Sequence, residues 1–289
     1  MKCYLCGNDE CVQIHDKVRF NLPPKPYRCK RCGLVFMHPP IEDPDAFYRD
    51  TYRESYNKDN PEKEFELNLP EARVRLSRIL DPGPVRLKNS DVLEVGSSYG
   101  SFMSCAKPYT KSIIGVEPSS KCREFAKTKR LKVFESLKDV KDDSVDIVCS
   151  FHVLEHVPDP IQHMIDIRNK IKKNGYAVIE VPNINDVLIS VYKIPEHLDF
   201  YYEAAHQFCF SEYTLSRVLR KAGFEFNIFP LQRYDLSNHM YWTIYRKPGG
   251  KGKFKRIFSD DLDREYVRCL MERNMTDTLY AIATPKVEL

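Results

Sequence analysis

From Asp91 onward, short apolar runs alternate with stretches whose apolar residues recur at helical spacing. DVLEV (91–95), SIIGVE (112–117), LKVFE (131–135), VDIVCS (145–150) and YAVIEV (176–181) are bounded by polar or turn residues and read as strands. SSKCREFAKTK (119–129) and DPIQHMIDIRNKIKKNG (159–175) read as helices between them. The second has Asp159 at its N-cap, Pro160 at its first helical position and Gly175 after its basic end. Ahead of this block, EARVRLSRIL (71–80) has an amphipathic pattern and is stopped by Pro-Gly-Pro at 82–84. Strands alternating with helices predict an α/β fold, a largely parallel sheet covered on both faces, with ligands at the carboxyl ends of its strands.

Further upstream the periodicity fades. HPPIEDPDAFYRDTYRESYNKDNPEKEFE reads as a linker followed by short helical pieces. Tyr48, Tyr52 and Tyr56 recur every four residues, so they share a helix face. That face either packs on the main domain or forms a phenolic wall over a substrate pocket.

Length and composition narrow the class. The 289 residues allow one ordinary domain with a small appendage, and 30% charged residues beside 42% hydrophobic ones are normal for a soluble globular protein. Forty-five basic against forty-one acidic residues, a net charge of +4, is too balanced to argue for nucleic acid. MKCYLCGNDE has no apolar core of signal-peptide length, and no membrane-length apolar run occurs, so a cytoplasmic location is expected. In that compartment the ten cysteines would be reduced thiols or metal ligands.

Four of them are paired. CYLC (Cys3, Cys6) and CKRC (Cys29, Cys32) give the spacing C-x2-C-x22-C-x2-C, with Gly7 and Gly33 following the two pairs. Two such knuckles can offer four thiolates tetrahedrally to one zinc ion. A segment of this size cannot build a large core, so a metal would supply folding energy that apolar burial cannot. With sulfur in all four positions no site stays open, and the expected zinc is structural. Cys11 reads as an extra thiol. The intervening VQIHDKVRFNLPPKPYR has basic residues but no dense aromatic–basic stripe, so the ribbon reads as scaffold.

VLEVGSSYGSF (92–102) is a strand running into a glycine turn that opens a helix. A dinucleotide site needs G-x-G-x-x-G to hold a pyrophosphate. From Gly96 this chain reads G-S-S-Y-G, and Glu94 would repel phosphates. A ligand with an amino group and no phosphate fits better. Glu117 ends the next strand, 21 residues beyond Gly96, where an acid accepts ribose hydroxyls. Adenosine joined to an amino acid without phosphate is S-adenosylmethionine.

On these motifs the region resembles class I S-adenosylmethionine-dependent methyltransferases. VLEVGSSYGSF resembles that family's E-x-G-x-G-x-G loop, with Ser98 in place of the middle glycine. GVEPSS resembles its ribose-binding acid motif, SVDIVCSFHVLEHVPDP (144–160) its fourth strand and ligand-facing loop, and YAVIEVPN its fifth strand. HQFCFSEYTLSRVLRKAGFEF (206–226) resembles the following helix and sixth strand, and LYAIATPK (279–286) the antiparallel seventh. The resemblance implies a Rossmann-like seven-stranded sheet behind a zinc ribbon. It implies that Gly96, Ser98 and Gly100 approach the methionine part and that Glu94 contacts its amino end. Glu117 would hold the ribose, with Glu135 and Phe151 flanking the adenine. The expected organisation is a ribbon at 1–42, a linker and helical lid at 43–89, and the cofactor domain at 90–289. Substrate-covering insertions are expected near 185–210 and 236–277.

Methyl transfer needs an aligned nucleophile and a base for its proton. His206, in the aromatic-rich DFYYEAAHQFCF, is the first candidate base, followed by Glu196 and His197. In HVLEH, a helix would place His152, Glu155 and His156 on adjacent faces. Related enzymes hold a divalent ion with a Glu-x-x-Glu-His version of that motif, so a metal there is a further reading, with His152 and His156 as alternative bases. The insertion RYDLSNHMYWTIYRKPGGKGKF offers Asn238, His239 and Trp242 as substrate contacts beside Tyr48, Tyr52 and His197.

The ribbon-plus-methyltransferase arrangement resembles enzymes acting on nucleotide-linked sugars and other glycan or secondary-metabolite precursors. O- or N-methylation is favoured and C-methylation stays open. Two alternatives make different forecasts. An RNA methyltransferase reading RNA with the ribbon needs a basic, aromatic-laced surface. A non-catalytic scaffold would have lost its cofactor acids, yet Glu94 and Glu117 are both present.

Overall fold

The computed structural model describes residues 1–41, 60–81 and 83–286; Tyr48, Tyr52 and Tyr56 lie outside them. At the N-terminus β1 (Cys11–Gln13), β2 (Lys25–Cys29) and β3 (Val35–His38) form an antiparallel meander, in register Cys11↔Cys29 and Arg28↔Val35. Both cysteine knuckles close on glycine, Gly7 N–H to Cys3 O at 2.8 Å and Gly33 N–H to Cys29 O at 2.9 Å.

The helix α1 (Pro61–Leu80) begins ten residues earlier than the pattern suggests. Asn60 accepts the Lys63 N–H, Pro61 occupies the first turn and Glu62 and Glu64 complement the helix dipole. Pro70 is carried inside it. Phe65, Ala72, Leu76 and Ile79 share its buried face.

Next come β4 (Asp91–Val95), α2 (Ser101–Ala106), β5 (Ser112–Val116), α3 (Ser120–Thr128), β6 (Lys132–Phe134), β7 (Val145–Phe151), α4 (Pro160–Lys170) and β8 (Ile171–Pro182). Asp159 caps α4 through the Gln162 N–H at 2.9 Å, as its sequence indicates. The far end differs. The helix stops at Lys170, and Ile171 to Gly175 already belong to β8. A Cβ at Gly175 would lie 2.5 Å from the Asp146 carbonyl oxygen, so this glycine serves a close approach to β7 rather than a helix end. KKNG holds no apolar residue that would tell one from the other.

The remaining elements are α5 (Val187–Ser190), α6 (Pro195–Tyr201), β9 (Phe208–Cys209), α7 (Glu212–Lys221), β10 (Phe224–Leu231), α8 (Leu236–Tyr245), α9 (Asp260–Glu272) and β11 (Thr278–Pro285). The main sheet has seven strands in the order β10-β11-β8-β7-β4-β5-β6. β4 runs parallel to both β5 and β7. β11 is inserted antiparallel: its start meets the end of β8 (Asn183 N–H to Asp277 O, 2.9 Å), and its end meets the start of β10 (Lys286 N–H to Gly223 O, 2.9 Å). The second sheet has the order β1-β2-β3-β9.

By internal contacts the chain forms two compact units. One holds the N-terminal meander with Glu180–Val218 and Ile228–Tyr280; the other holds the stretch ending at Ile179, Leu219–Asn227 and the chain from Ala281. In the first, Val18, Val35, Met37, Ile184, Ile189, Tyr202 and Cys209 share a core, which joins the short meander to the segment after β8. In the second, Phe65 of α1 packs with Tyr99 and Cys122. Among the described residues no helix is long and apolar enough to cross a membrane.

Candidate functional site

The turn after β4 is held from below. Gly96 and Ser97 both donate to the Val116 carbonyl, at 2.8 and 3.0 Å. Gly96 has φ 74°, and a Cβ there would come 2.3 Å from Val153 Cγ2, so both conformation and space demand glycine. Ser98 has φ 48° with a full side chain. Its N–H donates to Glu117 Oε2 at 3.0 Å, and the Ser119 N–H donates to Glu117 Oε1 at 3.0 Å. The carboxylate, 2% exposed, is thus fixed by one backbone donor on each oxygen.

Glu94, on β4, is also buried, and its Oε2 has no hydrogen-bond partner among the described residues. Burial pushes its carboxyl up to about 8, against the opposing pull of Arg75. That arginine comes from α1 and also lies over the Phe151 ring, 4.7 Å from its centre. Phe151 meets Phe102 edge-on at 4.9 Å. Glu135 is exposed and pairs with Arg123 at 2.9 Å. Two buried acids, Glu117 and a Glu94 whose Oε2 has no partner among the described residues, suit a ligand carrying an ammonium group at one end and a pair of hydroxyls at the other.

HVLEH is a turn, not a helix, closed by His156 N–H to Val153 O at 2.9 Å. His152 takes φ 56°, and its Nδ1 lies 3.3 Å from the buried Glu155 carboxylate. His152 belongs to no group of three or more His, Cys, Asp or Glu side chains able to hold a metal ion among the described residues.

The four thiol sulfurs of Cys3, Cys6, Cys29 and Cys32 lie within 4.8 Å of one another, a cluster able to hold a metal ion. Cys3 and Cys32 are separated by 3.5 Å and Cys6 and Cys29 by 3.6 Å. Tetrahedral bonds of ~2.3 Å imply sulfur separations of ~3.8 Å, so the set fits zinc with minor adjustment. Burial pushes the Cys3 thiol up to about 11. It pushes Cys29 up too, but the N–H groups of Cys32 and Arg31 outweigh it and bring that thiol down to about 6.

In the same unit as the cysteines, His206 Nε2 lies 2.9 Å from Glu203 Oε1. Glu196 is exposed, 4.0 Å from Arg246. The predicted substrate contacts from 197 to 242 are mostly interior. Trp242 packs with Leu188 and Ile194, and His197 meets it edge-on at 4.7 Å. Asn238 and His239 are buried as well, and burial pushes both His197 and His239 down to about 4. His239 is part of a directed chain. Gln232 Oε1 accepts the Asp277 N–H, so its Nε2 donates to His239 Nε2. His239 Nδ1–H therefore faces the Tyr266 hydroxyl at 2.7 Å, and that hydroxyl lies 3.2 Å from Tyr192.

The strand order, the glycine turn and the two buried acids have a counterpart among known proteins. The methyltransferase-domain family matches residues 64–227. The chain belongs to the class I S-adenosylmethionine-dependent methyltransferases. Solved structures share the fold. An S-adenosylmethionine-dependent methyltransferase from Archaeoglobus fulgidus has a TM-score of 0.50 at 22% identity, covering 76% of this chain and 93% of that one. One from Thermotoga maritima has 0.50 at 22%, covering 78% and 96%. A chain from the complex of the Haloferax volcanii Trm112 methyltransferase activator with a methyltransferase has 0.53 at 16%, covering 86% and 99%. No curated protein matches in sequence.

Arg75, Glu203 and Arg19 were not singled out by the sequence. The methyltransferase draws them from α1, the turn before β9 and the loop after Val18, and no local motif marks any of them.

Proposed function

We propose that this methyltransferase methylates a small-molecule acceptor, a nucleotide-linked sugar or a related glycan or secondary-metabolite precursor, at oxygen or nitrogen. The observation that carries the proposal is the pairing of His206 with the buried Glu203 inside an aromatic-rich segment. A carboxylate beside an imidazole fixes its tautomer and stabilises the protonated ring, which suits a base taking one proton from a hydroxyl or amine.

S-adenosylmethionine supplies a methyl group on a positively charged sulfur, a leaving group that needs no acid. The chain's own residues bind and orient it. Glu94 receives the ammonium end, the turn Gly96–Gly100 leaves room for the methionine chain, and Glu117 accepts the ribose hydroxyls. Phe151 and Glu135 flank the adenine. His206, held by Glu203, takes the acceptor's proton. His152 and His156 are the secondary bases. His197, Asn238, His239 and Trp242 are the proposed acceptor contacts. Zinc bound by Cys3, Cys6, Cys29 and Cys32 is structural, since the four sulfurs fill its coordination.

The test is a panel of nucleotide sugars and phosphorylated metabolites incubated with the protein and S-adenosylmethionine, with products read by mass spectrometry and NMR. A methylated oxygen or nitrogen, lost in His206→Ala with cofactor affinity retained, supports the proposal. Methylation confined to added RNA or to carbon contradicts it.

A further inference from the structure

The ribbon does more than close on its cysteines. β9 (Phe208–Cys209) is the fourth strand of the ribbon sheet, pairing Val35↔Cys209 and Phe36↔Phe208 against β3. The Met37 N–H also donates to Gln207 O at 3.0 Å. His206 is therefore one residue from backbone that the ribbon holds. On the other side, the loop after Val18 grips the turn before His206. The Arg19 N–H donates to Tyr202 O at 2.7 Å, and the Arg19 guanidinium reaches Glu203 Oε2 at 3.3 Å. That guanidinium lies over the Phe200 ring, 4.0 Å from its centre. His15 adds a third tie, with Nε2 2.6 Å from Asp199 Oδ1.

The Glu203 carboxylate is thus shared: Arg19 takes Oε2 and His206 Nε2 takes Oε1. With both oxygens committed, the plane of the carboxylate is fixed, and with it the His206 ring. The backbone that delivers Arg19 is itself unusual. Phe20 and Asn21 have φ of 60° and 55°, a left-handed pair costly for a phenylalanine and held by Asn21 N–H to Val18 O at 2.9 Å.

We infer that the cysteine ribbon is a working part of the acceptor side, supplying Arg19 as a positioning residue that locks Glu203 and thereby sets the tautomer and orientation of the His206 ring. This rests on His206 being the base. Arg19 touches no reacting atom; it acts through the carboxylate. The Nε2–H bond to Glu203 places the basic lone pair on Nδ1. Without Arg19 the carboxylate can rotate and the ring loses its single tautomer.

The experiment uses the full chain labelled with 15N-histidine, comparing wild type with Arg19→Gln, Arg19→Lys and Glu203→Gln, each checked for an unchanged backbone spectrum. Expected for wild type is one neutral His206 tautomer with Nε2 protonated. Arg19→Gln and Glu203→Gln should each give averaged tautomers. Arg19→Lys should restore most of the wild-type signature. In turnover, Arg19→Gln should lower kcat about tenfold or more with KM little changed. A His206 tautomer unchanged in a folded Arg19→Gln protein overturns the inference. Full turnover in His206→Ala instead overturns the base assignment, whatever the Arg19 spectra show.

Discussion

The Ser98 N–H donates to Glu117 Oε2 at 3.0 Å, from a residue whose φ of 48° belongs to the region glycine prefers. The family pattern has glycine at this position; here serine adopts the same backbone shape and still delivers its donor. Loop and acid are therefore one unit. Glu117→Ala should weaken S-adenosylmethionine binding by roughly 10- to 100-fold, the range for lost hydrogen bonds to a charged group. Ser98→Gly keeps the N–H and should stay within about threefold of wild type. Calorimetric titration with the cofactor reads both.

Gly96 allows a sharper steric forecast. Gly96→Ala meets Val153 Cγ2 and forces a side chain onto φ 74°. A loss of ~2 kcal/mol or more in unfolding free energy is expected. Adding Val153→Ala removes the clash but not the backbone penalty, so the double variant should recover only part of the loss. Denaturant unfolding of the four proteins in the cycle decides it.

Glu94 makes the cofactor-free protein sensitive to base. Its ordinary value of 4.5 applies in the unfolded chain, and the folded value is about 8. The folded state holds the proton more tightly, so stability is full below the lower value and falls as pH rises towards 8. The difference between wild type and Glu94→Gln should grow by up to ~1.4 kcal/mol per pH unit across that window. Parallel melting profiles from pH 5 to 9 would contradict it. The variant should also bind the cofactor more weakly.

Buried histidines set the acid side. Burial brings His163, His197 and His239 from 6.5 down to about 4. The unfolded chain binds their protons first, so stability is lost as pH falls from about 6.5 through 4. Histidine NMR should show all three neutral at pH 6. Tyr266→Phe, which leaves His239 Nδ1–H facing no oxygen, should cost roughly 1–3 kcal/mol.

Much of this was legible in the chain. The cysteine spacing, the Asp159–Pro160 helix start and the ordered strand motifs all rest on neighbours in sequence, and the structure has each of them. Contacts between distant residues left no such trace. β9 is two residues long, too short to show a period, and it pairs with a strand some 170 positions away. Arg75 and Arg19 read as ordinary surface cations until the fold brings them to Glu94 and Glu203. Trp242 and His239 looked like an overhang because their segment interrupts the regular alternation. α8 buries both side chains.

The cysteine cluster gives its own forecast. The purified chain should carry one zinc per molecule by elemental analysis, and Cys29→Ser should lose it. Because binding energy is folding energy in such small metal sites, chelation should melt the segment before Leu22 and β2–β3 first. Hydrogen exchange localises the loss. Unaltered protection there after metal removal would contradict a structural role.

The central claim is methyl transfer to a small molecule. Methyl-labelled S-adenosylmethionine is incubated with the protein and, separately, with a metabolite pool rich in nucleotide sugars, with total RNA and with cell protein. Label entering the metabolite pool, and lost with Glu117→Ala, is the predicted result. Label entering RNA or protein alone, or no transfer to any pool from a protein that binds the cofactor, would contradict it.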